Sequence, residues 1–217
     1  MLFHWTAFAG VRSKTKVAQC ASNLRQFTLA MHLYGNENDG SLPSIVGFWA
    51  WDIPRATGTF VESTGSKWTV MFCPGTSPPF TDADNWELYA FSSSYRVIGY
   101  ATTFSTSALI ASNRNTTLTP QPIEFAPFQF FTPLASERVL LADATISQYG
   151  QSNPSLRYTY NYTFIAGGFR LPHRSPHLTG QFPAGGNLGM LDGHVEWRDF
   201  ADMYPRMQQG SGPGFWW

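Results

Sequence analysis

Charged residues are scarce in this sequence. They make up 13% of the 217 residues, against a typical share of about 25%. Fourteen basic residues balance 14 acidic ones, and the lysines are only three, Lys14, Lys16 and Lys67. A nucleic-acid-binding domain is expected to carry a basic face. We therefore expect no nucleic-acid partner.

Long apolar runs are also missing, since no stretch approaches the roughly 20 residues of a membrane-spanning helix. Disorder is excluded because 43% of the residues are hydrophobic and the net charge is zero. Uncharged groups supply the polarity, with 20 Thr, 19 Ser and 9 Asn, while 19 Gly and 15 Pro predict many turns. The composition predicts a folded, aromatic-rich and loop-rich domain.

Cysteine is nearly absent. Cys20 and Cys73 are too few for a disulfide scaffold, and they lack the local spacing of metal ligands. A bridge between them would close a loop of about 50 residues and contribute roughly 4 kcal/mol on the chain-entropy model. Two unpaired, buried thiols are the alternative, and the redox compartment decides between them.

The usual catalytic motifs are missing as well. The sequence has no Gly-x-Ser-x-Gly, no phosphate-binding Gly-x-x-x-x-Gly-Lys and no His-Glu-x-x-His. Asp82 and Asp84 form a close acidic pair, but they fall in a polar segment that we interpret as a solvated loop rather than a glycosidase site. We therefore expect no enzymatic activity.

The clearest element present is a helix near the N-terminus. Apolar residues recur there at steps of three and four, which predicts one buried stripe on a helix from about Ala9 to Tyr34. The hexamer from Gly35 to Gly40 contains residues that tolerate left-handed conformations and predicts the helix end. The stripe consists of Val17, Cys20, Leu24, Phe27, Met31 and Tyr34.

Beyond residue 41 the apolar period changes to two, which predicts strands. The predicted strands are Trp68–Phe72, Tyr95–Phe104, Val139–Ala142 and Tyr158–Phe164, and residues 80–87 and 105–133 are predicted loops. The fold class predicted is α+β, with a long N-terminal helix (residues 1–40) packed on an antiparallel sheet (residues 41–217) within one structural domain.

A β-hairpin is predicted near the C-terminus. Asp192-Gly193 is a strong signal for a two-residue type I′ turn, which would pair Met190 with Val195 and Leu188 with Trp197. The chain then ends on two tryptophans, Trp216 and Trp217. These either tuck against the sheet or contact a neighbouring subunit.

Four segments, in this order and spacing, resemble one family. They are Lys16–Gln26 with its continuation to Pro43, Phe72-Cys73-Pro74, Arg138–Ala144 and Asn187–Trp197. Together they are similar to prepilin-like proteins related to the pseudopilins of type II secretion, whose C-terminal signature is His, a spacer and Asp-Gly. The resemblance implies a pilin-like fold, with long loops and a C-terminal hairpin. It assigns the signature to His177, Asp192 and Gly193.

Two features depart from that family. Its spacer is nine residues, whereas 14 residues separate His177 from Asp192, and we interpret residues 180–186 as an inserted loop. Such proteins also begin with a basic leader, a cleavage motif and a long apolar helix. In this sequence charge already begins at Arg12, so we expect the leader and the apolar helix to be missing from the chain as given.

The resemblance implies a non-enzymatic subunit of a type IV filament or a type II secretion-like system. Its partners would be other pilin-like subunits or secretion machinery, its location would be the extracytoplasmic cell envelope, and Cys20 and Cys73 would be oxidised to a disulfide. Membrane contact would come only through the missing apolar helix. The alternative is an extracytoplasmic module on the same pilin-like scaffold that binds polysaccharide or another ligand. It would do so on an aromatic face formed by Tyr158, Tyr160, Tyr162 and Phe164, or through a metal-ordered loop.

Four polar residues are candidates for one converged site. Asp143 ends a predicted strand and Asp192 lies in the predicted turn, so both could lie at one sheet edge with His177 and His194. Carboxylates and imidazoles suit Zn²⁺, Mn²⁺ or Ca²⁺. We expect no cofactor and favour a structural polar latch in which these groups hydrogen-bond each other, with a divalent metal site as the alternative.

Overall fold

The N-terminal part of the chain forms one long helix. The computed structural model describes the backbone of residues 3–104, 113–207 and 212–217, and the side chains of these ranges from residue 14 onward. Helix α1 spans Phe3–Glu37 and contains the helix predicted from about Ala9 to Tyr34. It ends as predicted, because Asp39 and Gly40 adopt positive φ angles of 53° and 80°. The stripe residues with no exposed surface are Cys20, Leu24, Phe27 and Met31.

A four-stranded antiparallel sheet lies against α1, with the strand order β11-β10-β6-β3. Its members are β3 (Tyr100–Thr102), β6 (Val139–Asp143), β10 (Gly185–Met190) and β11 (Val195–Asp199). Every residue of β10 is buried, because β10 pairs with β6 and β11 on its two edges and carries α1 on one face. The α+β class is therefore confirmed.

Glycine permits the close contact between α1 and β10. A Cβ atom at Gly189 would lie 2.3 Å from Thr28 Oγ1, which is far inside van der Waals contact. Both the helix and the strand place small or slim groups at this crossing, so the backbones approach closely. The consequence is that α1 cannot be moved outward without uncovering the central strand.

Smaller elements surround this layer. Among the residues that the structure describes, two further α-helices are present, α2 (Arg55–Ser63) and α3 (Asp82–Tyr89). The remaining strands pair antiparallel as β1 (Asp52–Pro54) with β2 (Tyr95–Val97), β4 (Ile123–Ala126) with β5 (Gln129–Phe131), β8 (Leu178–Thr179) with β9 (Phe182–Pro183), and β13 (Gly214–Trp216) with both β7 (Thr145–Ser147) and β12 (Pro205–Met207).

The predicted C-terminal hairpin is present, but its register differs by one residue. Leu188 pairs with Glu196 and Gly189 with Val195, so the predicted two-residue turn is wrong. The loop has three residues and, within it, only Gly193 has a positive φ, of 95°. A type I turn followed by one left-handed glycine is the usual three-residue hairpin loop. Asp192 keeps an ordinary conformation because its carboxylate accepts a hydrogen bond from the His194 amide.

Two predicted strands are not formed, and 3₁₀ turns replace all or part of them. Residues Trp68–Met71 form one such turn, and Pro154–Thr159 form another that takes up the start of the predicted Tyr158–Phe164 strand. Asn153 explains the second case, since its side chain accepts a hydrogen bond from Ser155 N and begins the turn. At the start of this segment, the hydrogen bond of the capping side chain therefore determines the backbone conformation, and the alternation of aromatic and polar residues does not.

The predicted loops contain further elements. Helix α3 occupies the predicted loop at residues 80–87, where Thr81 and Asp84 form a reciprocal capping box. The β4–β5 hairpin lies in the predicted loop at 105–133, of which residues 105–112 lie outside the described part of the chain. The predicted strand Tyr95–Phe104 is divided between β2 and β3, which belong to different sheets.

The C-terminal tryptophans tuck into the body of the protein. Trp216 and Trp217 have no exposed surface, and Trp216 packs with Tyr162 and Phe200 in a second, smaller core. The Trp216 indole N–H donates to Ser147 Oγ at 2.8 Å, which satisfies its polar group. Of the two alternatives for these residues, the structure therefore supports packing against the sheet.

Replacing Trp216 tests the importance of this second core. We expect Trp216→Ala to lower the free energy of unfolding by about 3–5 kcal/mol, because it removes a large buried ring and leaves a cavity. Phe164→Ala is the control, since Phe164 is 68% exposed and its loss should change stability by about 0.5 kcal/mol or less. Urea unfolding followed by circular dichroism measures both. Equal losses in the two variants would contradict this role of Trp216.

Candidate functional site

Four side chains from distant parts of the sequence meet beneath α1. Cys20 lies on the buried stripe of α1, and Cys73 lies between two 3₁₀ turns, directly before Pro74. Asp143 is the last residue of β6, and His177 directly precedes β8. We call Cys20, Cys73, Asp143 and His177 the buried cluster. It joins the long helix, the central sheet and two loop segments at one point.

The atoms of the buried cluster lie within contact distance. The Cys20 thiol donates to Asp143 Oδ1 at 2.8 Å, while His177 Nε2 lies 3.2 Å from both Cys73 Sγ and Asp143 Oδ2. One ligand atom from each of the four residues can be chosen so that all lie within 4.8 Å of one another. All four residues are buried, with at most 6% of their surface exposed.

Neighbouring polar groups hold the cluster in place. Asn187 donates to Asp143 Oδ2 twice, from its backbone N at 2.7 Å and from its side-chain Nδ2 at 3.2 Å. The Gly75 amide donates to Cys73 Sγ at 3.4 Å, and Tyr100 Oη lies 3.5 Å from Cys20 Sγ. The carboxylate and both sulfurs therefore have fixed positions.

Electrostatic interactions within the chain favour a charged pair formed by the His177 imidazole and the Asp143 carboxylate. Burial alone would raise the pKa of Asp143, but the hydrogen bond and charge of His177 outweigh it, so the pKa is lowered. Burial alone would lower the pKa of His177, but its contacts with Asp143 and Cys20 raise it to about 10. The pKa of the Cys73 thiol is raised, chiefly by burial. The cluster is thus an ion pair flanked by two thiols.

The structure brings together two of the four candidate ligands predicted from the sequence. Asp143 and His177 meet as expected, whereas Asp192 and His194 pair with each other at the exposed hairpin turn, at 2.6 Å between Oδ1 and Nδ1. The register explains the separation. Ala142 pairs with Leu188, so Asp143 lies beside the start of β10, about 10 Å of strand before the turn begins.

The cysteines supply the other two members of the cluster. Sequence spacing gave no ligand pattern for Cys20 and Cys73, and the resemblance implied a disulfide between them. In the structure both are free, buried thiols. Their position beside a histidine and an aspartate depends on contacts over 123 residues of chain separation, for which local spacing carries no signal.

The segments quoted for the family resemblance converge on this cluster. Residues 16–26 supply Cys20, the Phe72-Cys73-Pro74 segment supplies Cys73, and residues 138–144 supply Asp143. The C-terminal segment supplies Asn187, which holds Asp143 in place. Segments that look unrelated along the chain are therefore parts of one local structure.

No protein-family model, curated protein or solved structure matches the chain. Within the described residues, no helix combines the length and the apolar character needed to cross a bilayer.

A small aromatic pocket lies between β1, α3 and the loop before His173. It encloses about 170 Å³, with Trp49 and Phe169 in its walls and the exposed rings of Phe48 and Phe91 at its rim. Its polar residues are Asp52, which accepts backbone hydrogen bonds from Phe48 and Trp49, and His173, whose ring lies 4.8 Å from that of Trp51.

The carboxyl group and the imidazole of the pocket are both shifted towards neutrality. Burial raises the pKa of Asp52, against the effect of the two backbone N–H groups. Burial lowers the pKa of His173 to about 4, despite a hydrogen bond to the Gly167 backbone. His173 is therefore a neutral aromatic wall of the pocket at neutral pH.

His173 should make folding depend on pH. Between about pH 6.5 and pH 4 the unfolded chain binds a proton that the folded chain does not, so the free energy of unfolding falls as the pH is lowered. The difference amounts to about 3 kcal/mol over that range. We expect His173→Phe to remove this part of the slope in urea unfolding. Asp52 is present in the unmodified chain and in the variant and contributes equally to both. Identical slopes of the free energy of unfolding against pH in the two chains would therefore contradict the assignment to His173.

Proposed function

We propose that the chain is a non-enzymatic, pilin-like subunit of a type IV filament or a type II secretion-like system. It acts in the extracytoplasmic cell envelope and contacts other pilin-like subunits through α1. The observation that carries the proposal is the two-sided character of α1. One side of α1 is buried on the antiparallel sheet, and the other presents Leu29 and Leu33 to solvent next to polar residues such as Arg25 and Gln26.

The outward side of α1 is suited to helix–helix contact. Leu29 and Leu33 are 61% and 41% exposed, and they lie four residues apart, which places them on one face. An exposed leucine pair on a helix that also forms the core of the domain can join the helices of neighbouring subunits without any change in the fold. This is the arrangement that an assembly subunit of the pilin kind requires.

The converging segments support the same proposal. The four segments that resemble the prepilin-like family each contribute to, or directly hold, the buried cluster. Every subunit built on the same fold needs the residues that fix the helix to the sheet, whatever surface that subunit displays. The resemblance thus has a physical basis in one anchoring point, which suits a structural protein.

Burial also argues for a structural role of the cluster. A catalytic site must admit a substrate to its reactive atoms, whereas Cys20, Cys73 and Asp143 are at most 1% exposed. His177 is similarly covered and faces the ring of Trp197 at 5.6 Å between centroids. The reactive atoms of this cluster therefore serve the fold rather than turnover of a substrate.

Charge on the outward face of α1 tests the proposal. We expect the double variant Leu29→Glu, Leu33→Glu to reduce the cross-linked oligomers in envelope fractions of producing cells at least about tenfold. Burial of two carboxylates at an apolar contact costs more than the ~1.4 kcal/mol that corresponds to that factor. Circular dichroism of the purified variant should be unchanged, because both leucines are exposed.

The matched control is Leu156→Glu. Leu156 is 48% exposed on a 3₁₀ turn outside α1, so its change adds one carboxylate, half the charge of the α1 variant, to a surface that the proposal does not use. Oligomer yields should stay at the level of the unmodified chain. Undiminished assembly of the α1 variant, or a chain that is monomeric in every envelope fraction, would contradict the proposal.

A carbohydrate-binding module is the second candidate, and the aromatic pocket favours it. The platform expected from Tyr158 to Phe164 does not form, because Tyr162 is buried while Tyr158 and Phe164 are exposed in a turn and a loop. The pocket instead offers rings at its rim, and aromatic rings stack on sugar faces. Its volume suits a single sugar unit of a chain rather than a long segment.

Affinity electrophoresis in polysaccharide gels separates the two candidates. If the pocket binds sugar, the double variant Phe48→Ala, Phe91→Ala should lose retardation while Phe164→Ala keeps it, because all three rings are exposed but only two line the pocket. Absence of retardation across neutral and acidic polysaccharides would leave the assembly proposal as the function of the chain.

A further inference from the structure

The buried cluster combines the donor types of a transition-metal site. Two sulfurs, one imidazole nitrogen and one carboxylate oxygen face one another, each from a different segment of the chain. We infer that Cys20, Cys73, Asp143 and His177 form a closed, four-ligand zinc site that fastens α1 to the sheet. This inference is independent of the assembly proposal, since it concerns the interior of the domain.

The distances fit zinc with small adjustments. Zinc bonds of about 2.3 Å to sulfur and about 2.0–2.2 Å to nitrogen or oxygen place tetrahedral ligand atoms about 3.4–3.8 Å apart. His177 Nε2 lies 3.2 Å from Cys73 Sγ and from Asp143 Oδ2, and Cys20 Sγ lies 2.8 Å from Asp143 Oδ1. Outward shifts of less than about 1 Å at these contacts give the tetrahedral spacing. Pairs of ligand atoms that are farther apart, up to 4.8 Å, reach it by inward shifts of about 1 Å.

The donor set selects zinc over hard cations. Calcium and magnesium take six or more oxygen ligands, whereas the cluster offers a single carboxylate. Thiolate sulfur and imidazole nitrogen favour zinc and other softer metals, and a tetrahedral set of two sulfurs with nitrogen and oxygen is typical of zinc. Four protein ligands without solvent access define a structural site, since a catalytic zinc keeps one position open.

The surroundings of the ligands match those of metal sites. Ligating carboxylates are usually oriented by hydrogen bonds, and Asn187 donates both its backbone and side-chain N–H groups to Asp143. Cys73 Sγ accepts from the Gly75 amide two residues later, which stabilises negative charge on a thiolate. These donors offset the single negative charge that remains when Zn²⁺ is bound by two thiolates, one carboxylate and a neutral imidazole.

Two backbone features hold the imidazole in place. His177 has a φ angle of 51°, a left-handed conformation that is costly for a residue other than glycine and that often occurs at functional sites. Gly75 permits the approach of the Cys73 segment, because a Cβ there would lie 2.9 Å from His177 Cε1. The chain thus accepts unfavourable local geometry to bring the imidazole to the sulfurs.

Zinc at this point would link four segments that are far apart in sequence. Cys20 and His177, the outermost ligands, are separated by more than half of the chain. Because all four ligands come together only in the folded chain, the free energy of metal binding adds to the free energy of folding. Loss of the metal should therefore loosen α1 from the sheet before it affects the peripheral strands.

The direct test is zinc binding by the purified full chain. The chain is stripped of metal under reducing conditions, and zinc is titrated against a chromophoric chelator. We expect one zinc per chain. Cobalt added to the stripped chain should give thiolate-to-cobalt charge-transfer bands and the intense visible bands of a tetrahedral site. The cobalt spectrum needs no variant, so it remains informative if ligand replacement impairs folding.

Matched variants assign the ligands. Asp143→Asn with His177→Gln, and separately Cys73→Ser, should weaken zinc binding by about 100-fold or more, and Asn187→Ala by about 10–100-fold through loss of orientation. The control is Asp192→Asn with His194→Gln, which replaces the same residue types at the exposed hairpin turn. This control should bind zinc as the unmodified chain does, with unchanged cobalt bands.

Three outcomes would overturn the inference. The first is a reduced, folded chain that binds no zinc and gives no charge-transfer band with cobalt. The second is full zinc binding by the Asp143 and His177 variant, whatever the hairpin control shows. The third is a Cys20–Cys73 disulfide in protein taken from its own cells without reductant. Failure of assembly leaves all of these readouts unaffected, so the two proposals fail separately.

Discussion

Helix α1 lies so close to strand β10 that no side chain fits at their crossing, where a Cβ on Gly189 would collide with Thr28. Leu24, Phe27 and Met31 fill the space on either side and have no exposed surface. This contact makes β10 a fully buried strand, and β10 in turn pairs with β6 and β11. The central sheet, and the position of every group that β6 and β10 carry, depend on it.

The buried cluster lies at the edge of this contact, and it is costly to place there. A carboxylate, an imidazole and two thiols are removed from water, and desolvation of the charged groups opposes folding unless each is paired. The pairing is complete, because His177, Cys20 and Asn187 all contact Asp143. A bound zinc strengthens the same arrangement by replacing hydrogen bonds with ligand bonds. In both states the cluster acts on the fold, fixing α1 at one point along the sheet.

That role connects the interior to the proposed function. A subunit that transmits contacts through a helix needs the helix to be held firmly on its inner side, so that its outer side can be used for assembly. Cys20 faces inward on α1, while Leu29 and Leu33 face outward two to four turns later. Under the proposed function, anchoring and assembly use opposite sides of one element and do not compete for residues.

Patterns in the sequence predict the elements that bury one face, because such elements need apolar residues at regular spacing. The α1 stripe and strand Val139–Ala142 are confirmed, because burial of one face dictates the spacing of apolar residues. The Tyr158–Phe164 strand failed where Asn153 and Pro154 begin a 3₁₀ turn, and the hairpin register failed because Gly193 alone takes the left-handed conformation. For the site, the sequence predicts Asp143 and His177, whereas Asp192 and His194 lie at the exposed hairpin turn and the cysteines carry no local signal for a place in the cluster. Convergence across more than 100 residues depends on tertiary packing, which no local spacing encodes.

Native mass spectrometry of the intact chain, taken from its own cells without reductant or chelator, tests the central claim most directly. We expect a mass equal to that of the reduced chain plus one zinc ion, with two protons displaced by the bound thiolates, and return to the fully reduced mass after acid removes the metal. A metal-free mass lower by two hydrogen atoms, which denotes a Cys20–Cys73 disulfide, would contradict the claim. So would the unmodified, metal-free mass of the dithiol chain.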